Sequence, residues 1–392
     1  MKSGLLLNGI LIGLVSFQLG CGAGQGFKPA GIENAPGTYV PPVKAEIPSY
    51  TADQLKTALV AASQKLVNRL PSEDEFRLID EKGIDGYKEA LTAQMESTRF
   101  RDAMRTYHQD YFATYRPTDD TNIPSINYNE PANMATYVIF FDHDYRELVT
   151  GDYCVNDNLA TGACSAFQND PTKAATNAAG VLTTRAFLNK WKSAYNFKRV
   201  KMVFEAFACS AYPDPDDQGM LPTEVSNVER GSTNDFNTQT GGSQACYQCH
   251  RSLNSRAVPY LNYTKDGFFF EFRANGTYPP SVPAEQRTVT DLADVEALPY
   301  MLLNTGTVDQ PVVPVPRYKG REIPTIKAYG EQLANTYEFK HCMVRRFSNF
   351  MLGREKFDPL LRGLEPVLST ANSYNVKEIL LDIATRPDFV LR

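Results

Sequence analysis

The sequence predicts a mainly α-helical protein, and three observations indicate this class. Apolar residues recur at three-to-four spacing along several segments after residue 50. Two of these segments follow a Ser or Thr that has Glu or Gln three residues later, which is the signature of a capped helix start. Hydrophobic residues make up 42% of the chain and charged residues 22%, so a sizeable core is expected.

The length and charge limit the classes of partner. At roughly 100–200 residues per domain, 392 residues predict two or three modules. The 40 Lys and Arg residues stand against 45 Asp and Glu residues, which gives a formal net charge of −5. A nucleic-acid partner is not expected, because phosphate contacts come from clustered Lys and Arg.

The first twenty residues have the pattern of an export signal. A basic Lys2 precedes an apolar stretch from Leu5 to Leu19 that is too short for a membrane-spanning helix. The sequence Leu19-Gly20-Cys21 resembles the lipobox at which a bacterial lipoprotein signal is cleaved, so Cys21 is the expected lipidated residue. A cleaved signal without lipid and an uncleaved anchor are the alternatives, and all three place the chain outside the cytoplasm. Residues 21–50 are rich in Gly and Pro and predict a flexible tether.

Residues 51–210 predict a helical N-terminal module. Helices are expected after Thr51 and after Ser72, followed by one long helix over Tyr87–Phe112. The apolar piece Asn133–Phe141 is either a short strand or a buried helix, since periodicity does not separate the two. After a polar stretch, Gly180–Cys209 returns to a helical pattern.

Residues 211–392 predict a helical, loop-rich C-terminal module. A long loop covers 211–244, and its Asp cluster at 214–217 lacks the alternating ligand order of a calcium-binding loop. Two helices close the chain. The first carries an apolar stripe from Phe339 to Phe350, and the second starts at Asn375 and ends before Pro387.

One motif in this module carries recognisable chemistry. Cys246, Cys249 and His250 form C-x-x-C-H, the attachment motif of c-type haem. Two thiols at this spacing can each bond one vinyl group of the porphyrin, and the adjacent His is then placed under the iron as the proximal ligand. The sequence therefore predicts one covalent haem c on Cys246 and Cys249, with His250 as its metal ligand.

Other interpretations of the motif have less support. A structural zinc site would need two further Cys or His ligands close by, and none follow. A thioredoxin-like site would need a βαβ context, which this loop-flanked motif lacks. A plain disulfide or an adventitious metal site remains the alternative to haem.

The surroundings of the haem are less constrained by the sequence. A second haem is not expected, since a multi-haem chain needs one such motif for each haem. The second axial ligand is Met301, His341, His108, His143, water or none. Aromatic residues downstream are expected either to wall the haem or to form an ordinary core, and basic residues are expected to pair with its propionates or to lie in solvent. The candidates for the haem wall are Tyr260, Leu261, Tyr263, Phe268, Phe269, Phe270 and Phe272. The basic candidates are Arg251, Arg256 and Lys265.

The remaining cysteines predict two disulfides. Of seven Cys, one is assigned to lipid and two to haem, and the even number left suits an exported protein. Cys154 and Cys164 form the expected local pair because closing a short loop costs little entropy. Cys209 and Cys342 then form the second bridge, although a 154–209 or 164–342 pairing and a buried free thiol at Cys342 stay open.

With these residues assigned, the C-terminal half resembles the planctomycete-type haem c proteins of unassigned function. The resemblance includes C-x-x-C-H, the helix pattern Cys342-x-x-Arg345-x-Phe347 followed by Leu352-Gly353-Arg354, and the ending Arg386-Pro387-Asp388-Phe389. A weaker match covers 146–153. Shortly after the motif, the family's Asp-Pro and Gly are replaced by Leu253-Asn254-Ser255-Arg256. The resemblance implies a helical, cytochrome c-like C-terminal module and brings no known substrate.

The expected function is electron transfer by a mono-haem c-type cytochrome anchored in a bacterial cell envelope. Its expected partners are a redox protein of the envelope and the membrane that holds the lipid, with the folded body facing the periplasm or the cell surface. The alternatives are a haem-dependent oxidoreductase or peroxidase-like enzyme, and a surface lipoprotein whose haem is structural or sensory. No hydrolase elbow, zinc-protease motif, P-loop or dinucleotide fingerprint is present.

Overall fold

In the computed structural model, helices account for most of the described residues, which confirms the predicted mainly α class. The structure describes residues 49–115, 123–192, 196–210, 253, 256–270, 304–307, 310–312, 316–353 and 371–391. The helices of the first part are α1 (Ala52–Leu66), α2 (Glu73–Lys82), α3 (Ile84–Met95), α4 (Thr98–Phe112), α5 (Glu130–Phe140), α6 (Glu147–Thr150), α7 (Ala174–Asn177), α8 (Arg185–Lys190) and α9 (Phe197–Val203). The later helices are α10 (Ile326–Ala334), α11 (Tyr337–Leu352), α12 (Val376–Thr385) and α13 (Pro387–Val390).

The predicted helix starts at Thr51 and Ser72 are confirmed, and both are complete capping boxes. The Thr51 hydroxyl accepts a hydrogen bond from the Gln54 backbone N–H, and the Gln54 side chain accepts one from Thr51 N–H. Ser72 and Glu75 exchange the same pair of bonds. The predicted start of the last helix is also confirmed, since the Asn375 side chain accepts from Glu378 N–H.

The single long helix predicted over Tyr87–Phe112 is wrong, because the chain breaks it in two. Helix α3 ends at Met95 and α4 begins at Thr98. The Ser97 side chain accepts a hydrogen bond from Phe100 N–H, so it caps a new helix rather than continuing the old one. Capping satisfies a backbone donor that the change in direction would otherwise leave unpaired.

The structure also defines the secondary structure of two further segments, one that the sequence leaves open and one that it predicts as helical. The apolar piece at 133–141 is helical up to Phe140, the last residue of α5, and most of its residues are buried, whereas Phe141 after the helix is half-exposed. The predicted helical stretch 180–209 is divided into the 3-10 helix Gly180–Thr183, then α8 and α9, and finally a π-helix at Phe204–Ala208. Further 3-10 helices lie at Ser165–Phe167, Pro171–Lys173, Val258–Asn262 and Ala371–Ser373.

Strands are short in the described parts of the chain and form two-stranded antiparallel ladders. The strands are β1 (Cys154–Val155), β2 (Thr161–Gly162), β3 (Asn304–Thr307), β4 (Gln310–Val312), β5 (Arg317–Tyr318) and β6 (Arg321–Glu322). Strand β1 pairs with β2, β3 with β4, and β5 with β6. These short ladders form local hairpins, and the helices form the core.

The described residues on both sides of the predicted module boundary at residue 210 share one hydrophobic core. Helix α1 packs on α11 and α13, and α3 packs on α12, so the first and last helices of the folded body are neighbours. The Tyr50 and Tyr87 hydroxyls donate to the backbone oxygens of Thr385 and Ala384, at 3.1 and 3.0 Å. The described residues from 49 onward therefore belong to one compact unit, and the division into modules 51–210 and 211–392 stays a prediction.

Candidate functional site

The structure describes only part of the predicted site. The haem motif Cys246, Cys249 and His250 lies outside the described residues, as do Cys21 and Met301. Arg251 and Phe272 also fall outside them. The residues that can be placed are the four remaining cysteines, the histidines His108, His143 and His341, and the aromatic and basic residues from Arg256 to Phe270.

The two disulfides predicted from the cysteine count are both present. Cys154 bonds Cys164 across the β1–β2 turn. Cys209, directly after the π-helix, bonds Cys342 in α11 across 133 positions of sequence. The second bridge ties the end of the described range 196–210 to α11.

A fully buried arginine lies six positions after His250. The Arg256 guanidinium is held between two rings, with its Cζ atom 4.0 Å from the centre of Phe204 and 4.2 Å from the centre of Tyr318. The π-helix supplies Phe204 and strand β5 supplies Tyr318. Stacking on two aromatic faces fixes the plane of the guanidinium and stabilises a buried cation.

Two buried tyrosine hydroxyls belong to the same region: the charge of Arg256 acts on Tyr329, and Tyr329 interacts in turn with Tyr260. Neither Tyr260 nor Tyr329 has a hydrogen-bond partner for its hydroxyl within the described structure. Burial raises the pKa of both phenols, although the nearby Arg256 opposes the shift at Tyr329, so both remain neutral donors. We define the Arg256 cluster as Phe204, Arg256, Tyr260, Tyr318 and Tyr329. A cation with two unsatisfied hydroxyls nearby is a suitable environment for a buried carboxylate.

A second buried arginine, Arg199, has a structural role. Arg199 is fully buried and donates to the backbone oxygens of Leu188 and Thr264 at 2.7 Å each. It donates further to Asn196 Oδ1 and to the Tyr263 backbone oxygen. These acceptors tie α8 to the 258–264 segment, so Arg199 serves the fold and not a ligand.

Most of the aromatic residues proposed to wall a haem belong to the ordinary core. Tyr263 and Phe269 pack on Phe167 and on one another. The ring of Phe268 is covered by the Arg185 guanidinium, 3.9 Å from its centre. Leu261 is buried, and Phe270 and Lys265 are half-buried. Tyr260 is therefore the member of this group that keeps an unsatisfied polar atom.

The three described histidines differ sharply in environment. His108 is fully buried in α4, where its Nδ1 lies 2.8 Å from the Met104 backbone oxygen and its Nε2 has no hydrogen-bond partner in the described structure. His143 is half-exposed, with Nδ1 3.3 Å from Glu147 Oε1. His341 is half-buried and stacks on the exposed Tyr337.

Two searches of the described residues gave negative results. No group of three or more His, Cys, Asp or Glu side chains there is arranged to hold a metal ion. None of the described helices is long and apolar enough to cross a membrane.

Sequence reasoning missed three members of the Arg256 cluster. The sequence places Phe204 only within the helical pattern of 180–209 and gives Tyr318 and Tyr329 no role. They come from three different elements and lie far apart in sequence, so no local pattern marks them. Proximity in sequence to the C-x-x-C-H motif was the available signal, and it identified Arg256 and Tyr260.

In comparisons with known proteins, no family model, curated protein or solved structure matches this chain.

Proposed function

We propose that the protein is a mono-haem c-type cytochrome of a bacterial cell envelope that transfers electrons to or from a redox partner protein. The observation that carries the proposal is the single C-x-x-C-H motif formed by Cys246, Cys249 and His250. When bound, the haem would supply a one-electron redox centre. The chain would supply the thioether bonds through Cys246 and Cys249 and the proximal ligand through His250.

The Arg256 cluster supports this proposal from the described residues. A haem carries two propionates, and a buried carboxylate needs charge-assisted donors. Arg256 lies six positions after His250, and the buried hydroxyls of Tyr260 and Tyr329 have no hydrogen-bond partner among the described residues. These groups would hold a propionate and exclude water from it.

The location is part of the proposal. Two disulfides in one chain support an oxidising compartment, which is where haem c is attached. Lipid on Cys21 would anchor the protein to a membrane, with residues 22–50 as the tether. The resemblance to planctomycete-type haem c proteins remains a prediction from the sequence, and it also favours a haem c protein.

Haem-stained denaturing gels test the central assignment. The full chain, produced in a bacterial host that matures c-type cytochromes, should give a haem-positive band. Cys246→Ala and Cys249→Ala should each weaken it, and the double variant should abolish it. The Cys154→Ala, Cys164→Ala pair is the matched control, because it removes two thiols that do not bind haem. A wild-type band without haem would overturn the assignment.

Fractionation tests the anchor separately. The wild-type protein should sediment with membranes, and Cys21→Ser should release it into the soluble fraction. Retention of Cys21→Ser in the membrane would contradict lipidation and indicate an uncleaved signal or a membrane partner.

A further inference from the structure

Positive charge is concentrated in one stretch of this acidic chain. Between Asp170 and Glu205 the sequence has seven Lys or Arg residues and no Asp or Glu. The preceding stretch, from Glu130 to Asp170, has the opposite balance, with seven Asp or Glu residues and one Arg. The two signs are therefore separated along the chain, whereas a surface that serves only solubility mixes them.

The structure brings part of this positive charge together around the single tryptophan of the chain. Lys190 and Trp191 lie at the end of α8, and the Nζ atom of Lys190 is 6.0 Å from the centre of the Trp191 ring. Lys198 of α9 places its Nζ atom 5.5 Å from the same centre. Lys201 follows three positions later on the same side of α9, and its side chain is 52% exposed although it pairs with Glu205. We define the basic patch as Lys190, Trp191, Lys198 and Lys201.

The fold holds the basic patch in a fixed arrangement. The buried Arg199 of α9 donates two hydrogen bonds to the Leu188 backbone oxygen of α8, at 2.9 and 2.7 Å. It also donates to Asn196 Oδ1, directly before α9. These bonds join the end of α8 to the start of α9, so Lys190 and Lys198 are presented together. A patch that is already ordered binds without the entropic cost of ordering it.

The residue types in the basic patch fit a lipid surface better than a protein surface. Its cations are lysines, whereas the neighbouring Arg199 is buried and serves the fold. Protein interfaces are depleted in Lys and enriched in Arg. Lysines beside a tryptophan are instead typical of sites on a membrane surface, because ammonium groups are attracted to anionic lipids and an indole ring lies well at the level of the headgroups. Trp191 is partly exposed, as this arrangement requires.

We propose that the basic patch binds the surface of a membrane that contains anionic phospholipids. The ammonium groups of Lys190, Lys198 and Lys201 lie against lipid phosphates, and Trp191 lies at the level of the headgroups. This contact is reversible and sets the orientation of the folded body on the membrane. The inference goes beyond the proposed function and uses neither the haem nor the lipid on Cys21.

Sedimentation with lipid vesicles tests the basic patch. The full chain with Cys21→Ser, in which lipid on that cysteine cannot contribute, should sediment with vesicles of phosphatidylglycerol and phosphatidylcholine and much less with phosphatidylcholine alone. Binding should be lost at an ionic strength of about 1 M, where the Debye length is about 3 Å. The triple variant Lys190→Gln, Lys198→Gln, Lys201→Gln should bind at least about tenfold more weakly, because each lysine near an anionic surface adds to the attraction.

A second triple variant is the matched control for net charge. Lys56→Gln, Lys65→Gln and Lys82→Gln remove the same charge from α1 and α2, and this protein should bind as the parent does. Circular dichroism verifies that both triple variants are folded. Equal binding by the two triple variants would overturn the inference, and so would equal binding of the parent to both kinds of vesicle.

The fluorescence of Trp191 locates the contact, because the chain has one Trp. Its emission should shift to shorter wavelength on anionic vesicles, and lipids brominated near the headgroup should quench it. A sedimenting protein whose Trp191 emission is unchanged would contradict the inference, since another surface would then bind the lipid. Binding to immobilised polyglutamate but not to anionic vesicles would assign the patch to an acidic protein and overturn the inference.

These outcomes are separate from those of the proposed function. A chain without haem that binds anionic vesicles through the basic patch would overturn the proposed function and leave this inference in place. A haem-containing chain that does not bind them would overturn this inference alone.

Discussion

Glu130 is a buried carboxyl group whose ionisation opposes folding. It lies in the first turn of α5 and is 9% exposed. Desolvation by burial raises its pKa to about 7, although the charge of Arg185 and a hydrogen bond from the Arg185 backbone lower it in part. The folded protein therefore holds this proton at pH values where the unfolded chain has released it, and stability falls as the pH rises from about 4.5 to 7.

Glu130→Gln should remove this dependence. The glutamine keeps an oxygen that can accept from the Arg185 N–H but cannot ionise. Relative to wild type, the variant should gain about 1–3 kcal/mol of unfolding free energy at pH 8 and little at pH 4.5, since a shift of one pKa unit is worth about 1.4 kcal/mol. Urea denaturation at the two pH values measures the difference. The exposed Glu73→Gln is the control, and an equal change in both variants would contradict the assignment.

At the scale of elements, the contact between α10 and α6 depends on the absence of a side chain. Gly330 of α10 faces the Val149 backbone, and a Cβ atom placed on it would lie 1.8 Å from the Val149 oxygen. The glycine thus allows the two helices to approach closely. This contact brings α10, which carries Tyr329, into its place beside the Arg256 cluster.

Gly330→Ala should therefore destabilise the protein, although alanine is the better helix former by about 1 kcal/mol. The backbone oxygen cannot move aside without separating the helices, so we expect a net loss of about 2 kcal/mol or more. Thermal unfolding measures it. Gly162→Ala provides the control, because a Cβ there meets nothing within 4 Å. A Gly330→Ala variant as stable as this control would show that the contact is looser than described.

For the whole molecule, the last helices join the first ones. The Lys377 ammonium in α12 forms ion pairs with Glu96 after α3, at 2.8 Å, and with Asp142 after α5, at 2.9 Å. Together with the core contacts of α1 and α3, these pairs connect regions nearly 300 positions apart. The fold is therefore rich in long-range contacts. Cross-links between distant residues should have large effects on the free energy of unfolding.

The two disulfides should differ in their contribution to stability. In the chain-entropy model, removing the Cys209–Cys342 bridge, which spans 133 positions, costs about 5 kcal/mol, whereas the Cys154–Cys164 bridge, which spans 10, costs about 3 kcal/mol. Paired Cys→Ala variants compared by urea denaturation measure both. A larger loss for the short bridge would contradict the model. Non-reducing peptide mapping of the wild type verifies the pairing beforehand.

Local sequence determined the features that depend on neighbouring residues. The capping boxes at Thr51 and Ser72, the start of the last helix at Asn375 and the apolar stripe of α11 follow from spacings of three or four positions. The disulfide pairing was predicted by counting cysteines in a chain that is expected to be exported. The haem motif is also local, and it remains a prediction from the sequence.

Only the tertiary structure decided the features that join distant segments. The shared core of the two predicted modules and the cluster of Arg256 with Tyr260 and Tyr329 both depend on where the chain returns. His108 is the clearest case, because a histidine on an amphipathic helix looks the same in sequence whether it is exposed or buried. Its burial arises from α4 packing under the rings of α11, more than 200 positions away, and among the described residues Nε2 has no hydrogen-bond partner.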